Sequence, residues 1–141
     1  MSNNKTYHPD TLAVRGGLNR SKFDETSEAL YLTSGYVYSS AQEAADSFSG
    51  DLDRFVYSRY GNPTVTMLQE RMALLEGAES CRMTASGMAA VFATMASLLK
   101  SGDRLVASRA LFGACHAILT QILPKWGIET ELVDGTDMTA W

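Results

Sequence analysis

Three stretches of the chain carry side chains that could do chemistry. The first is "FVYSRYGNPT", residues 55–64. In it the hydroxyl of Tyr57 and the guanidinium of Arg59 stand two residues apart, ahead of a Gly-Asn-Pro turn. Arginine offers a planar fork matched to phosphate oxygens, and tyrosine adds a hydroxyl donor. On an extended segment the two would share a face, because strand side chains alternate with period two. The second is "MTASGMAAV", residues 83–91, where small residues lead into an apolar helix. At Ser86, Gly87 and Met88 the free N–H groups of a first helical turn suit a phosphate, and glycine leaves its approach open. The third is "RALFGACH", residues 109–116. Phe112 follows a strand end and opens a helix, a place from which a ring can cover a flat ligand. Each has a plain structural alternative: Ser86 as a helix cap, Arg59 as a surface charge beside half-buried tyrosines, Phe112 as a core ring. His116 reads as structural rather than as an acid or base.

Several function classes drop out. Neither a Walker A pattern nor G-x-G-x-x-G occurs, so an NTPase and a Rossmann dinucleotide site lack support. Cys81 and Cys115 are far apart in apolar segments, without Cys-x-x-Cys and with only 2 histidines. That argues against a metal site and reads as two buried, reduced thiols of a cytoplasmic protein. The 141 residues suffice for one core of ordinary size, and 45% hydrophobic with 20% charged residues is a soluble, globular balance. A net charge of −4 speaks against non-specific nucleic-acid or anionic-membrane binding. No apolar run approaches the roughly 18 residues of a membrane span, and "MSNNKTYHPD" lacks the apolar region of a secretory signal.

The elements that must position these residues are legible in part. "SAQEAADSF" reads as a short helix with Ser40 as N-cap and Glu43 three residues on. Asn62 caps the next helix, Pro63 takes its first position, Val65, Leu68, Met72 and Leu75 recur at helical spacing, and Gly77 ends it. "SCRMT" follows as a strand, residues 86–100 as an apolar helix, "DRLVAS" as a strand, residues 113–123 as a helix closed by Pro124, and "IETELVD" as a strand. Residues 1–35 read as polar and irregular with a turn at Arg15–Gly17, and "LYLTSGYVYSS" as loosely extended. Alternating helices and strands with short joints predict an α/β fold with a parallel sheet, whose ligands sit beyond strand carboxyl ends at helix N-termini. "DGTDMTAW" reads as the opening turn of a helix capped by Thr136 or Asp137, so a longer parent protein is expected.

"YSRYGNPT", "TASGMAA" and "LFGACH", in that order, resemble the Cys/Met-metabolism family of pyridoxal-phosphate enzymes. "TLAVRGG" at residues 11–17, "LTSGYVY" at 32–38 and "LEGAE" at 75–79 extend the likeness over nearly the whole chain from about Thr11. The resemblance implies a type I aminotransferase-like fold. Residues 1–62 would form an N-terminal arm serving a neighbouring subunit, and residues 63–141 the first part of the cofactor domain. It implies pyridoxal 5'-phosphate as cofactor, no metal, and a homotetramer whose sites are shared between subunits. Backbone N–H groups of Gly87 and Met88 would hold the phosphate, with Ser86 in the same cradle. Tyr57 and Arg59 would hold it from next door, and Phe112 would stack on the pyridine ring. Most branches of the family have Tyr in that last place. "LFG" resembles the branch acting on succinylated homoserine, and a Phe there leaves any proton transfer to another group such as Tyr57.

The implied chemistry is γ-replacement: succinate leaves Cγ of an O-succinylhomoserine ester, sulfide adds, and homocysteine is released for methionine biosynthesis. Cystathionine γ-synthesis, γ-elimination and sulfhydrylation of the acetyl ester stay open as alternatives. So does a non-catalytic phosphate-ligand binding or assembly module. The family's Schiff-base lysine lies in a Ser-x-Thr-Lys-like block. None of Lys5, Lys22, Lys100 and Lys125 is in such a block. The expectation is therefore that this stretch alone is inactive and that the lysine belongs elsewhere in a complete enzyme.

Overall fold

The computed structural model describes residues 7–141. Lys5 and the first six positions of the expected arm lie outside the described residues. The chain divides into two compact units, one running to Met83 and the other from Thr84 to Trp141.

Among the described residues the first unit contains three helices. Pro9–Arg15 (α1) starts at His8, whose imidazole Nδ1 accepts from the Asp10 N–H at 3.3 Å, with Pro9 in the first turn. This corrects the irregular reading for residues 9–15. A proline at the first helical position gives up an N–H that would have had no partner anyway, so it starts a helix there. The Arg15–Gly17 turn ends α1. Ala41–Ser49 (α2) has the expected Ser40 cap, its hydroxyl accepting from the Glu43 N–H at 3.0 Å. The Glu43 carboxylate turns back to the Ser39 N–H and hydroxyl and to the Arg54 guanidinium. The Ser39 bonds, and then Arg54, hold the Glu43 pKa below its ordinary value. The stability these contacts contribute is therefore present above that ordinary value and lost as pH falls through the lowered one. Pro63–Glu76 (α3) begins at the residue where the cofactor domain is expected to open. Asn62 caps it and Gly77 closes it at φ 62°.

Helices α1 and α3 pack together. Met67 of α3 is 2% exposed, and the turn at Gly16–Gly17 lies directly on the helix. The Arg71 Nε donates to the Gly16 carbonyl at 2.8 Å, and its guanidinium pairs with Glu28. Residues 30–38 form no strand, and the only pairing there among the described residues is a single antiparallel bridge between Gly35 and Tyr57. "SCRMT" forms no strand. A strand exists only with a hydrogen-bonded neighbour, and none is present for these residues among those described.

The second unit is helix, strand, helix, strand. Gly87–Leu98 (α4) leads to Arg104–Ser108 (β1). Gly113–Ala117 (α5) leads through Ile118–Trp126 to Glu129–Val133 (β2). The strands are parallel, with Arg104 opposite Glu129 and Ser108 opposite Val133, as the alternation predicts. The core is Ile118, Leu119, Leu123 and Ile128, packed by Met88, Val91 and Phe92 of α4. Pro124 does not end the helix that starts at Gly113 as expected. The chain widens into a π-helical turn at Ile118–Ile122 and tightens to 3-10 over Leu123–Trp126. Proline has no N–H to give and its ring would press on the carbonyl four residues back, so the helix changes pitch around it. Gly127, at φ 74°, then ends the run.

Candidate functional site

In the second unit, Ser86 is the N-cap of α4, its hydroxyl accepting from the Ala89 N–H at 3.2 Å. The Thr84 hydroxyl donates to the Ser86 carbonyl at 2.8 Å, which fixes the approach to the helix. Among the described residues nothing accepts from the Gly87 or Met88 N–H. No atom lies within 4 Å of where a Gly87 Cβ would be, so the first turn of α4 faces open space. The Met88 side chain turns inward to the core, and its Sδ meets the Cys115 Sγ of α5 at 3.9 Å.

Phe112 is the residue before α5 and makes no side-chain cap. It is 74% exposed, so it is not a core ring. Its carbonyl accepts from the His116 N–H at 3.0 Å, continuing the helix. His116 is exposed, and its imidazole has no hydrogen-bond partner among the described residues. Cys81 and Cys115 are both free and half-buried, which corrects the expectation of fully buried thiols.

Tyr57 and Arg59 belong to the first unit. The structure brings them together by a different route from the one period-two alternation offers. Residues 57–60 form a turn, with the Tyr60 and Gly61 N–H groups donating to the Tyr57 carbonyl at 2.9 and 3.1 Å. The Arg59 guanidinium lies over the Tyr57 ring at 4.6 Å and the Tyr60 ring at 5.3 Å. Among the described residues it makes no hydrogen bond or ion pair, so its donors stay unused.

Asn62 holds this turn in place. The residue is 7% exposed; its Oδ1 accepts from the Thr64 N–H at 2.9 Å, and its Nδ2 donates to the Tyr31 carbonyl at 2.9 Å and the Ser58 hydroxyl at 3.0 Å. Ser58 donates its own N–H to the Ser34 carbonyl at 2.9 Å. The sequence points to Asn62 only as a cap; its partner Tyr31, 31 residues upstream, carries no local signal. The turn also borders a cleft of about 690 Å³ whose lining includes Ser58, Arg59, Asn62, Gln69 and Arg82. Gln69 and Arg82 are additions that no motif announces.

Among the described residues no cluster of His, Cys, Asp and Glu could hold a metal ion, and no helix is long and apolar enough to cross a membrane.

The chain is similar to known proteins in sequence and in fold. An O-succinylhomoserine sulfhydrylase of Mycobacterium tuberculosis is 59% identical over 131 residues, 93% of this chain and 32% of that protein. One of Pseudomonas aeruginosa is 45% identical over 132 residues, 94% of this chain and 33% of that protein. A crystal structure of an O-acetylhomoserine (thiol)-lyase of Campylobacter jejuni, containing a pyridoxyl-lysine monophosphate, superposes with a TM-score of 0.88 at 30% identity, covering 96% of this chain and 33% of that one. The chain thus spans about a third of the length of the relatives it matches. The profile of the Cys/Met metabolism PLP-dependent enzymes matches residues 10–141, and the chain belongs to that family.

Proposed function

We propose that this chain is part of an enzyme that replaces the γ-substituent of O-succinylhomoserine with sulfide, giving homocysteine and succinate, with pyridoxal 5'-phosphate as cofactor. The observation that carries the site assignment is the open first turn of α4 in the same unit as the exposed ring of Phe112. Two free N–H groups, a cap hydroxyl and an unblocked glycine fit a phosphate, and an uncovered ring fits a flat heterocycle. The choice of succinyl ester rests on the two sulfhydrylases at 59% and 45% identity.

In this reading the Gly87 and Met88 N–H groups donate to the phosphate. The Ser86 oxygen accepts from Ala89, so its own O–H is left to donate to the same phosphate. Phe112 covers one face of the cofactor ring and keeps water from it, but moves no proton. Tyr57 and Arg59 form an arm that reaches the phosphate held by a neighbouring subunit, in a homotetramer of the cytoplasm. Tyr57 is then also the hydroxyl proposed for a proton-transfer role. The bound cofactor supplies an electron sink for proton loss from the substrate's carbons. The lysine that carries it comes from outside this stretch. Lys100 lies beyond the far end of α4, about 18 Å of helix from Gly87 at the usual rise, and Lys125 lies in the 3-10 turn Leu123–Trp126 that closes the run after α5.

Assaying the full-length protein with sulfide and either O-succinyl- or O-acetylhomoserine tests the substrate. Homocysteine is expected from the succinyl ester, and its formation from the acetyl ester alone would overturn the assignment. Phe112→Tyr is expected to keep cofactor affinity within about 2-fold, since the stacking face is retained, while shifting the ratio of replacement to elimination. A collapse of the fold in that variant would mark Phe112 as a packing residue.

A further inference from the structure

We infer that Cys115 is a positioning residue, whose contact with Met88 sets the ring of Phe112 against the phosphate cradle. The inference rests on the cofactor site proposed above. Phe112 has little to hold it directly: its ring is 74% exposed, and it makes no side-chain cap at the start of a helix only 5 residues long. Leu111 before it packs against the core, and the other side chains that can set its position lie on the inner face of the segment that follows. Ala114 and His116 point to solvent, Cys115 is half-buried, and Ile118 and Leu119 are core. Cys115 is therefore the first inward side chain after Phe112.

What Cys115 meets is the cradle itself. Its thiol donates to the Met88 Sδ at 3.9 Å, and the backbone N–H of the same methionine is one of the two unused donors at the start of α4. One side chain thus ties the residue that would cover the ring to the residue that would bind the phosphate. The contact bridges 27 positions of sequence. The other thiol, Cys81, lies 3.8 Å from Met83 only two residues away and joins no two elements. Methionine adapts to its surroundings and a thiol is small and weakly polar, so the clasp can be loosened without opening the core formed by Leu119 and Leu123.

The test is a double-mutant cycle on the full-length protein, with Cys115→Ala, Met88→Leu and the pair. Apo protein is titrated with pyridoxal phosphate, the circular dichroism of the bound cofactor reports ring orientation, and apo melting is followed separately. Each single change is expected to weaken cofactor affinity about 3- to 10-fold, with the double variant no worse than either, because contacting residues couple. The cofactor's dichroic band should shrink in all three, while the melting temperature of apo protein stays within about 2 °C. Additive losses, an unchanged dichroic band, or wild-type affinity in Cys115→Ala would overturn the clasp alone. A wild-type protein that takes up no pyridoxal phosphate would overturn the proposed cofactor site and the clasp with it.

Discussion

In the full-length protein, Arg59→Ala is expected to weaken retention of pyridoxal phosphate by about 10- to 100-fold, the range of a lost charged hydrogen bond. The effect should be confined to binding. Within its own unit the guanidinium stacks on two tyrosine rings and bonds to nothing among the described residues, so its removal orphans no buried group. Melting of the apo protein should barely move. The decisive measurement is complementation. Subunits carrying Arg59→Ala are mixed with subunits whose cofactor lysine is replaced. In a mixed pair, the site on the Arg59→Ala subunit keeps its own lysine and receives Arg59 from its neighbour, so activity should reappear. If no mixing ratio restores activity, Arg59 does not serve a neighbouring subunit.

Gly17→Ala is expected to destabilise the first unit by about 3 kcal/mol, in the upper range for single substitutions. Two causes add. Gly17 has a φ of 67°, where an L side chain is strained. Its Cβ would also stand 2.6 Å from the Met67 carbonyl oxygen and 2.8 Å from the Arg71 amide nitrogen. Both are backbone atoms of α3, which cannot swing aside as a side-chain tip can. Gly50→Ala is the control: its φ is 89°, but no atom lies within 4 Å of the new Cβ. Denaturant unfolding of the two variants separates strain from collision, and Gly17→Ala should cost clearly more. Equal midpoints would mean that α1 is free to lift from α3.

The contrast between these residues shows what the chain makes legible. Asn62, Pro63 and Gly77 mark both ends of α3 because caps and breakers act within a few residues of where they stand. The parallel pairing of β1 and β2 follows from helices alternating with strands. The proline at position 9 carries the same start signal as the one at 63, but a polar setting without apolar periodicity obscured α1. Non-local features are hidden in principle. The hydrogen bond from Asn62 to Tyr31, the place of Gln69 and Arg82 beside the cleft, and the Cys115–Met88 contact depend on segments that meet only after folding. The segment at residues 80–84 marks a further limit. Its composition suits a strand, but pairing requires a neighbour as well as a propensity.

The local geometry of the motif blocks is more legible, because each is a short run whose caps act within a few residues. Ser86 caps as a serine before an apolar helix should, and Phe112 stands exposed at a helix start. The relation between Tyr57 and Arg59 was visible only as proximity. A turn, not an extended segment, brings the charge over the ring.

That stacking bears on the entropy of assembly. A free arginine side chain loses about 2 kcal/mol of rotamer freedom when it is immobilised. Held over Tyr57 and Tyr60, Arg59 has given up part of that freedom before any neighbour arrives. A phosphate meeting it would order a group already confined to one side of the turn. In the proposed shared site, Tyr60 would then influence how firmly Arg59 engages a phosphate without itself being assigned to that phosphate.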